Sequence, residues 1–485
     1  MDFSQFLMMR HEIGLLIVFL VVFLFDTFMP KKCQSFLPVL TAGLFTVYTV
    51  VVGVFLYIFG EAFGGMYEAN ATTEVMKSVL NIGVIIVLLQ SCKWANSEFQ
   101  IVRRGEFYEL LLITLLGMYL MISARHFLLF VIGLETASLP IAALVAFDKK
   151  RYESHEAAAK YMFTAIFSSA IFMMGISFVY AMSGSLYFVD IAEKIVAENQ
   201  LLLFLAIAFV ISGMGFKLSL VPYHLWTADV YQGAPTAITS YLSVISKGAA
   251  AYAFFIMFVQ VFGSIYAEVW SWMLYALIIL TITVGNLFAI RQKNLKRFLA
   301  FSSISQAGYI MLGIISSNAI GMGSMIYFVL IYIFSNLAAF GVISAIENNC
   351  DKVGMDDYKG LYKSNPRLAV VMMLAMFSLA GIPPFAGFFS KFFIFAAATQ
   401  TGSVAMYVLV FIALLNTIIS LYYYLLVVKA MFVYQDEPVI KGFKSAPTER
   451  LALVICLAGI LLLGLFSAVY EFMIKETEVF FNLMM

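Results

Sequence analysis

A chain of 485 residues that is 63% hydrophobic and only 12% charged cannot hide its apolar surface in a soluble fold, so it reads as a polytopic membrane protein built of helices. A net charge of +1 and the lack of any basic, aromatic-interleaved segment argue against a nucleic-acid partner. Cys33, Cys92, Cys350 and Cys456 are scattered without CxxC spacing, which argues against disulfides, zinc and iron–sulfur ligation.

A helix needs about 20 apolar residues to cross the hydrocarbon core of a bilayer. On that basis fourteen spans are predicted, at 13–29, 36–59, 75–92, 107–124, 126–147, 157–182, 201–222, 235–261, 265–290, 298–317, 320–346, 367–400, 404–434 and 449–471. The first, from Ile13 to Phe28, lacks a basic leader and a small-residue cleavage site, and is read as retained. The polar interruptions Glu347–Arg367 and Gln435–Arg450 are too short to fold alone. The chain is therefore one integral membrane domain, 1–485. Its parts are three N-terminal helices (1–106), a first repeat (107–261), a second repeat (265–434), and a C-terminal loop with the last helix (435–485).

Alternate connections carry the positive charge: Lys31 and Lys32, Lys93 with Arg103 and Arg104, Lys149 to Arg151, Arg291 to Arg297, Lys352 to Arg367, and Lys441 to Arg450. The other connections and the termini hold only Arg10, Arg125, Lys194 and Lys475. By the positive-inside rule both termini lie on the outer side. One miscounted span would scramble this alternation.

Two spans are interrupted, the seventh by Pro222 and the twelfth by Pro383 and Pro384. Proline removes a backbone donor, which a membrane tolerates only inside protein or beside water. The breaks lie five spans apart, and an odd offset reverses orientation. Spans 4–8 and 9–13 thus read as two inverted five-helix repeats, an arrangement that places broken helices along an ion pathway.

Lys217, Lys247 and Lys391 lie well inside otherwise apolar runs, and Glu135 lies in LLFVIGLETASLPIAAL. An ionisable group at bilayer depth costs about 2.5–3.5 kcal/mol on insertion scales and reads as functional by default. Helical spacing aligns polar residues on single faces: Lys160, Thr164 and Ser168; Ser240, Ser243 and Lys247; Ser302, Ser305, Gln306 and Tyr309; Tyr332, Ser335 and Asn336; Asn416, Ser420 and Tyr423. Ser138 sits one turn from Glu135. Facing one another, such stripes would hold water across the bundle, although each alone is commonly helix–helix glue. Lys77, Lys429 and Lys160, near span ends, are read as snorkelling, and His11, His126 and His155 as interface or loop residues. His224 and Asp229 lie in the broken connection, where a histidine suits either capping or proton relay. A carboxylate beside a buried ammonium favours its charged form, so changing a Glu135–Lys217 separation would move a proton toward Lys247.

Four segments, GMGFKLSLVPYHLWTADVYQGAPTAITSYLSVISKGAA at 213–250, RQKNLKRFLAFSSISQAGYIMLG at 291–313, LAGIPPFAGFFSKFFIF at 379–395 and AAAKYMFTAIFSSAIFMMGISFVYAMSG at 157–184, resemble the antiporter-like subunits of proton-pumping NADH:quinone oxidoreductase (respiratory complex I), most of all the N-type branch. The resemblance covers most of the chain. It implies a proton-translocating membrane-arm subunit with no redox chemistry or cofactor of its own, working beside neighbouring antiporter-like and small membrane subunits in lipid. NADH, FMN, iron–sulfur clusters and quinone would belong to partner subunits. The implied proton-transfer groups are Glu135, Lys217, Lys247 and Lys391, with Lys160, His224, Asp229, Ser243, Gln306, Tyr309 and Asn336 as accessories. No metal site is expected. The implied location is an energy-transducing membrane, bacterial inner membrane first.

Lysine at 391 favours an N- or L-type subunit over the M type, and the L type is disfavoured by an expected lack of a further helix after the last span. One departure is that relatives often carry a histidine or lysine in the tenth or eleventh span, whereas here the tenth has Gln306 and the eleventh only Tyr, Ser and Asn. Two alternatives stand beside this reading: a subunit of a multisubunit cation/proton antiporter, and a membrane-arm spacer without a proton path. The lack of nucleotide, metal or nucleophile motifs argues against a free-standing enzyme.

Overall fold

A computed structural model of the chain describes residues 4–30, 34–55, 59–97, 103–195, 200–263, 267–434 and 437–484. Lys31, Lys32 and Cys33 lie outside the described residues. The first helices are α1 (Ser4–Met8), α2 (Arg10–Phe28) and α3 (Leu37–Phe55), followed by a hairpin of β1 (Gly60–Ala62) and β2 (Tyr67–Ala69), paired antiparallel with Glu61 opposite Glu68. Gly64 and Gly65 take positive φ (68° and 83°) in its turn, a conformation that costs glycine nothing. Then come α4 (Ala71–Ala95), α5 (Arg104–Ser123), α6 (Phe127–Val145), α7 (Tyr152–Ser183), α8 (Phe188–Lys194), α9 (Gln200–Leu218) and α10 (Leu225–Gly233). α11 (Thr236–Tyr241), a π-helical turn (Leu242–Ser246), α12 (Lys247–Met257) and a second π turn (Phe258–Phe262) form one continuous span. The remainder is α13 (Ala267–Ile290), α14 (Leu295–Ser316), α15 (Ala319–Cys350), α16 (Leu361–Ser364), α17 (Pro366–Ala380), α18 (Ala386–Thr399), α19 (Val404–Phe432), α20 (Pro447–Leu465) and α21 (Ala468–Met484).

Among the described residues, 13 helical stretches are long and apolar enough to cross a membrane, and the shorter apolar pair α17 and α18 supplies the broken twelfth span. The chain is a multi-pass membrane protein with the fourteen spans expected. α14 and α15 are buried along their whole apolar windows, whereas α2 and α19 bury only about a third of theirs, so the former form the centre and the latter the lipid-facing rim.

Small residues set the tightest crossings, as they do wherever helices meet without a hydrophobic driving force. A Cβ on Gly117 of α5 would stand 2.3 Å from the backbone nitrogen of Ala137 on α6, and one on Gly133 would stand 2.6 Å from that of Met121. The same device recurs five spans later, where a Cβ on Gly285 of α13 would meet the backbone nitrogen of Ser305 on α14 at 2.7 Å.

Three expectations need correction. The run read as the last span, 449–471, breaks at Phe466 and Ser467, and α21 follows as a separate helix against α15 and α4. A further helix after the last span therefore exists. Its Glu471, Lys475, Glu476 and Glu478 make it too polar to read as a membrane span. Lys77 does not snorkel: it is fully buried, donating to Glu12 at 2.8 Å and to the Tyr67 hydroxyl at 3.0 Å. His11 is not an interface residue either, since it is buried with its Nε2 2.8 Å from Glu74. Arg10 also pairs with Glu74, so α2 and α4 are joined by a buried cluster of alternating charges. Local periodicity could not show it, because the partners lie more than sixty residues apart.

Candidate proton-transfer site

α9 is apolar up to Gly213–Met214, then ends at Leu218 because Ser219 adopts a positive φ of 61° and Pro222 follows. At the break the Phe216 carbonyl accepts from the Ser219 amide (3.0 Å) and from the Trp226 indole of α10 (3.2 Å). Lys217 thus sits in the last turn of α9, where the helix dipole favours a cation. It is buried, and its ammonium donates to Ser138 of α6. Glu135, one turn earlier on α6, is half-buried, with one buried carboxylate oxygen lacking a protein partner. The expected Glu135–Lys217 ion pair is not formed: Ser138 holds the lysine instead.

Lys247 directly follows the first π turn. Such turns change the angular register of a helix and recur at functional sites. Ser243, inside the turn, accepts from Asn336 Nδ2 of α15 at 2.8 Å, while Lys247 reaches Ser303 of α14 at 2.8 Å. Its Nζ lies 5.7 Å from the ring centroid of Tyr231 on α10. The hydroxyls of Tyr231, Tyr332 and Ser305 and the Asn336 Oδ1 are buried nearby in the bundle without protein partners. Buried polar atoms of this kind are ordinarily met by internal water.

α17 ends at Gly381 (φ 85°), ahead of Pro383 and Pro384. Its last carbonyls, Leu379 and Ala380, lose their helical donors and accept instead from Lys391 of α18, at 2.9 and 3.2 Å. Lys391 also stands 5.1 Å from the Tyr309 ring centroid. Gln306 of α14 donates to the same Leu379 carbonyl (3.4 Å) and to Tyr424 (3.2 Å), whose hydroxyl bonds Ser302. A cavity beside Lys391, lined by Gln306, Tyr332, Ser335 and Ser378, has about 10 Å³ of room for water, close to the roughly 10–15 Å³ that one molecule needs.

The accessory candidates divide. Ser243, Gln306, Tyr309 and Asn336 line the buried centre between Lys247 and Lys391. Lys160 and Asp229 do not: Lys160 of α7 pairs with Asp229 of α10 at 2.6 Å and with Glu156 at 2.7 Å, near the surface. Arg297 of α14 also binds Asp229, at 2.6 Å. His224 sits at the start of α10 with Nδ1 lacking a protein partner. Sequence reasoning missed the π turn before Lys247, which has no compositional signal. It also missed Ser303, since no regular spacing from Lys247 designates it.

Residues 124–420 match the family model described as NADH:quinone oxidoreductase/Mrp antiporter, transmembrane region. The NADH-quinone oxidoreductase subunit N of Phocaeicola vulgatus is 52% identical over 483 residues, covering 99% of this chain and 100% of that one. The subunit N 1 of Thermodesulfovibrio yellowstonii is 38% identical, covering 84% and 86%. Among solved structures, a chain of respiratory complex I from Thermus thermophilus with bound aureothin superposes with a TM-score of 0.77 at 31% identity, covering 94% of this chain and 96% of that one. A chain of the Mrp complex from Dietzia shares the fold alone, at a TM-score of 0.81 and 20% identity over 98% and 97%. With its broken helices, its buried lysines and these relatives, the chain belongs to the family of NADH-quinone oxidoreductase N subunits.

Proposed function

We propose that this chain is a proton-translocating membrane-arm subunit of an NADH:quinone oxidoreductase, in which Glu135, Lys217, Lys247 and Lys391 carry protons along the centre of the bundle. The supporting observation is the kind of partner each lysine has. Lys217 is held by a serine, Lys247 by a serine, and Lys391 by two carbonyls, with no carboxylate in ion-pair contact with any of them. Lys77, buried as deeply, is fixed by Glu12. A buried ammonium paired with a carboxylate is costly to discharge, because the lone carboxylate would be stranded in apolar surroundings. An amine among neutral oxygens can hold or release its proton without stranding a charge. The three axial lysines fit transfer, and Lys77 fits fixation.

Glu135 modulates Lys217, Lys247 relays, and Lys391 receives at the far broken helix, with Ser243, Gln306, Tyr309, Asn336 and water between. Pro222, Pro383 and Pro384 mark the helix breaks that leave backbone groups free to take part. Units 1–106, 107–261, 265–434 and 435–485 divide the chain around this axis. Redox cofactors and quinone are carried by partner subunits. The face rich in Lys and Arg is the inner one, and both termini lie outside, in a bacterial inner membrane.

The test is the proton-to-electron ratio of the complex in inside-out vesicles carrying Lys217→Ala or Lys247→Ala, normalised to assembled flavin. A lowered ratio is expected. A wild-type ratio in both variants, with assembly intact, makes the chain a spacer.

A further inference from the structure

Away from the proton path, between the ends of α17 and α20 on the face rich in Lys and Arg, lies a cleft of about 640 Å³. That volume falls within the roughly 300–1,000 Å³ of small-molecule sites. Its two parts differ in chemistry. Arg367 of α17, Lys444 of the connection and Arg450 of α20 line the mouth, and Leu368, Val371, Leu453, Val454 and Leu457 line the groove below. From Arg450 to Leu457, α20 descends about 10 Å into the bilayer. α20 buries only 39% of its apolar window, and Val454 is 61% exposed, so the groove opens sideways to lipid.

The cations of the mouth are unpaired. The side chains of Arg367, Lys444 and Arg450 have no ion-pair or hydrogen-bond partner among the described residues, and no described Asp or Glu lines the cleft. Arg151 and Arg297, on the same face, are by contrast neutralised by Glu347 and Asp229, at 2.6 Å each. The mouth is also held in shape. Asn365, buried just ahead of α17, donates to the Lys441 carbonyl (3.2 Å) and accepts from the Phe443 amide (3.1 Å). It thereby ties the connection that carries Lys444 to α17. α17 starts at Pro366 with no side-chain cap, so the partial positive charge of its first amides adds to that of the three cations.

We propose that this cleft binds an anionic phospholipid of the leaflet on the Lys- and Arg-rich face. The phosphate sits among Arg367, Lys444 and Arg450, and one acyl chain runs down the groove between α17 and α20. Guanidinium and ammonium groups suit phosphate oxygens, and an arginine can meet two of them at once. A zwitterionic lipid would bring a further positive charge to a mouth that already holds three, and a quinone would bring no charge at all. An acidic peptide would satisfy the mouth but leave the apolar groove beneath it empty. The bound lipid braces two helices that meet again at the second helix break, where a Cβ on Gly464 of α20 would stand 2.5 Å from the Pro384 carbonyl.

The test uses the whole complex, reconstituted in phosphatidylcholine vesicles that contain a little phosphatidylglycerol with a photoreactive group on its acyl chain. A phosphatidylcholine probe with the same group is the reference, and labelled peptides are mapped by mass spectrometry. Labelling of residues 366–371 and 450–457 by the anionic probe, well above the reference, is expected. Arg367→Gln, Lys444→Gln and Arg450→Gln, all at exposed positions, should each lower it about fivefold. Val454→Trp, which fills the groove and keeps every charge, should lower it as well. Equal labelling by the two probes, or wild-type labelling in all three charge variants, makes the lipid an ordinary one of the bilayer and overturns the proposal. A wild-type level in Val454→Trp overturns the acyl groove. Excess inorganic phosphate, against chloride at equal ionic strength, should change nothing, and displacement by it would make the mouth a site for free anions instead. No labelling by either probe would mean that a neighbouring subunit covers the cleft, which also overturns the lipid.

Discussion

Gln306 and Lys391, from different helices of the second repeat, converge on one acceptor, the carbonyl oxygen of Leu379 (3.4 and 2.9 Å). Where related subunits often carry a histidine or lysine, a neutral amide completes the coordination of the helix end. Gln306 can donate and accept, so it can orient water without competing for the charge of Lys391.

The two residues should differ when removed. Gln306→Leu leaves the Leu379 carbonyl with Lys391 and the Tyr424 hydroxyl with Ser302, so the loss is that of ordinary hydrogen bonds, about 0.5–1.5 kcal/mol. Lys391→Met leaves the buried Ala380 carbonyl without its donor and is expected to cost about 1–3 kcal/mol. Thermal unfolding of the purified complex ranks them. A larger loss for Gln306→Leu would contradict the geometry.

The charge cluster of α2 and α4 predicts a strong non-additivity. Lys77→Met strands Glu12 in an apolar interior and should destabilise the N-terminal helices by about 3–5 kcal/mol. Adding Glu12→Gln removes the stranded charge, and the double variant should recover most of that loss. The yield of assembled complex and its melting temperature give the cycle. Additive losses would mean the pair is not the unit described.

Outside the spans, the hairpin is tied down by Glu68, which pairs with Arg125 and accepts from Asn70 at 2.7 Å. Burial pushes the Glu68 carboxyl up, but Arg125 and Asn70 outweigh it, so it lies below its usual 4.5. A depressed carboxyl stabilises the folded form above the unfolded pKa and loses that contribution as pH falls through the folded one. Protection of the amides of residues 60–69, their exchange rate taken relative to the intrinsic rate at each pH, should therefore be flat above about pH 5 and fall only below the usual carboxylate range. Glu68→Gln should abolish that acid dependence. If it persists in the variant, another group is responsible.

The glycine crossing of α5 and α6 leaves no room for side chains. Gly133→Val would drive its methyls into the Met121 backbone, and overpacking of this kind costs about 1–3 kcal/mol or more when only backbone can yield. Gly184→Ala tests a different cause, since nothing lies within 4 Å of its Cβ and only its φ of 67° resists. Complex yield on native gels should fall much further for Gly133→Val.

The spans were legible because an apolar stretch of bilayer length has few other uses, and Lys217, Lys247 and Lys391 stood out against it. The Gly64–Gly65 pair carries a hairpin signal within the connection between the second and third spans. Three features had no local signature. The Glu12–Lys77 pair joins residues remote in sequence, the π turn before Lys247 is set by packing, and the stop at Phe466 falls within an unbroken hydrophobic run. The polar partners of the lysines belong to the same class: Ser138 and Ser303 are ordinary serines until another helix brings a lysine to them.

The close glycine crossing also bears on the proposed Glu135–Lys217 couple, because it fixes one of the two helices more firmly than the other. α6 is locked to α5 backbone against backbone, so Glu135 rides on a fixed rail. α9 approaches the α7 backbone closely at Gly213, where an added Cβ would strike Phe172 at 2.5 Å, and beyond it the two helices meet through the rings of Phe216 and Tyr161. Beyond Gly213 the helix runs on for five residues to its break, with Lys217 on that short tongue. A stroke that changes the spacing of the couple would be delivered by the lysine, with the acid as its stationary reference.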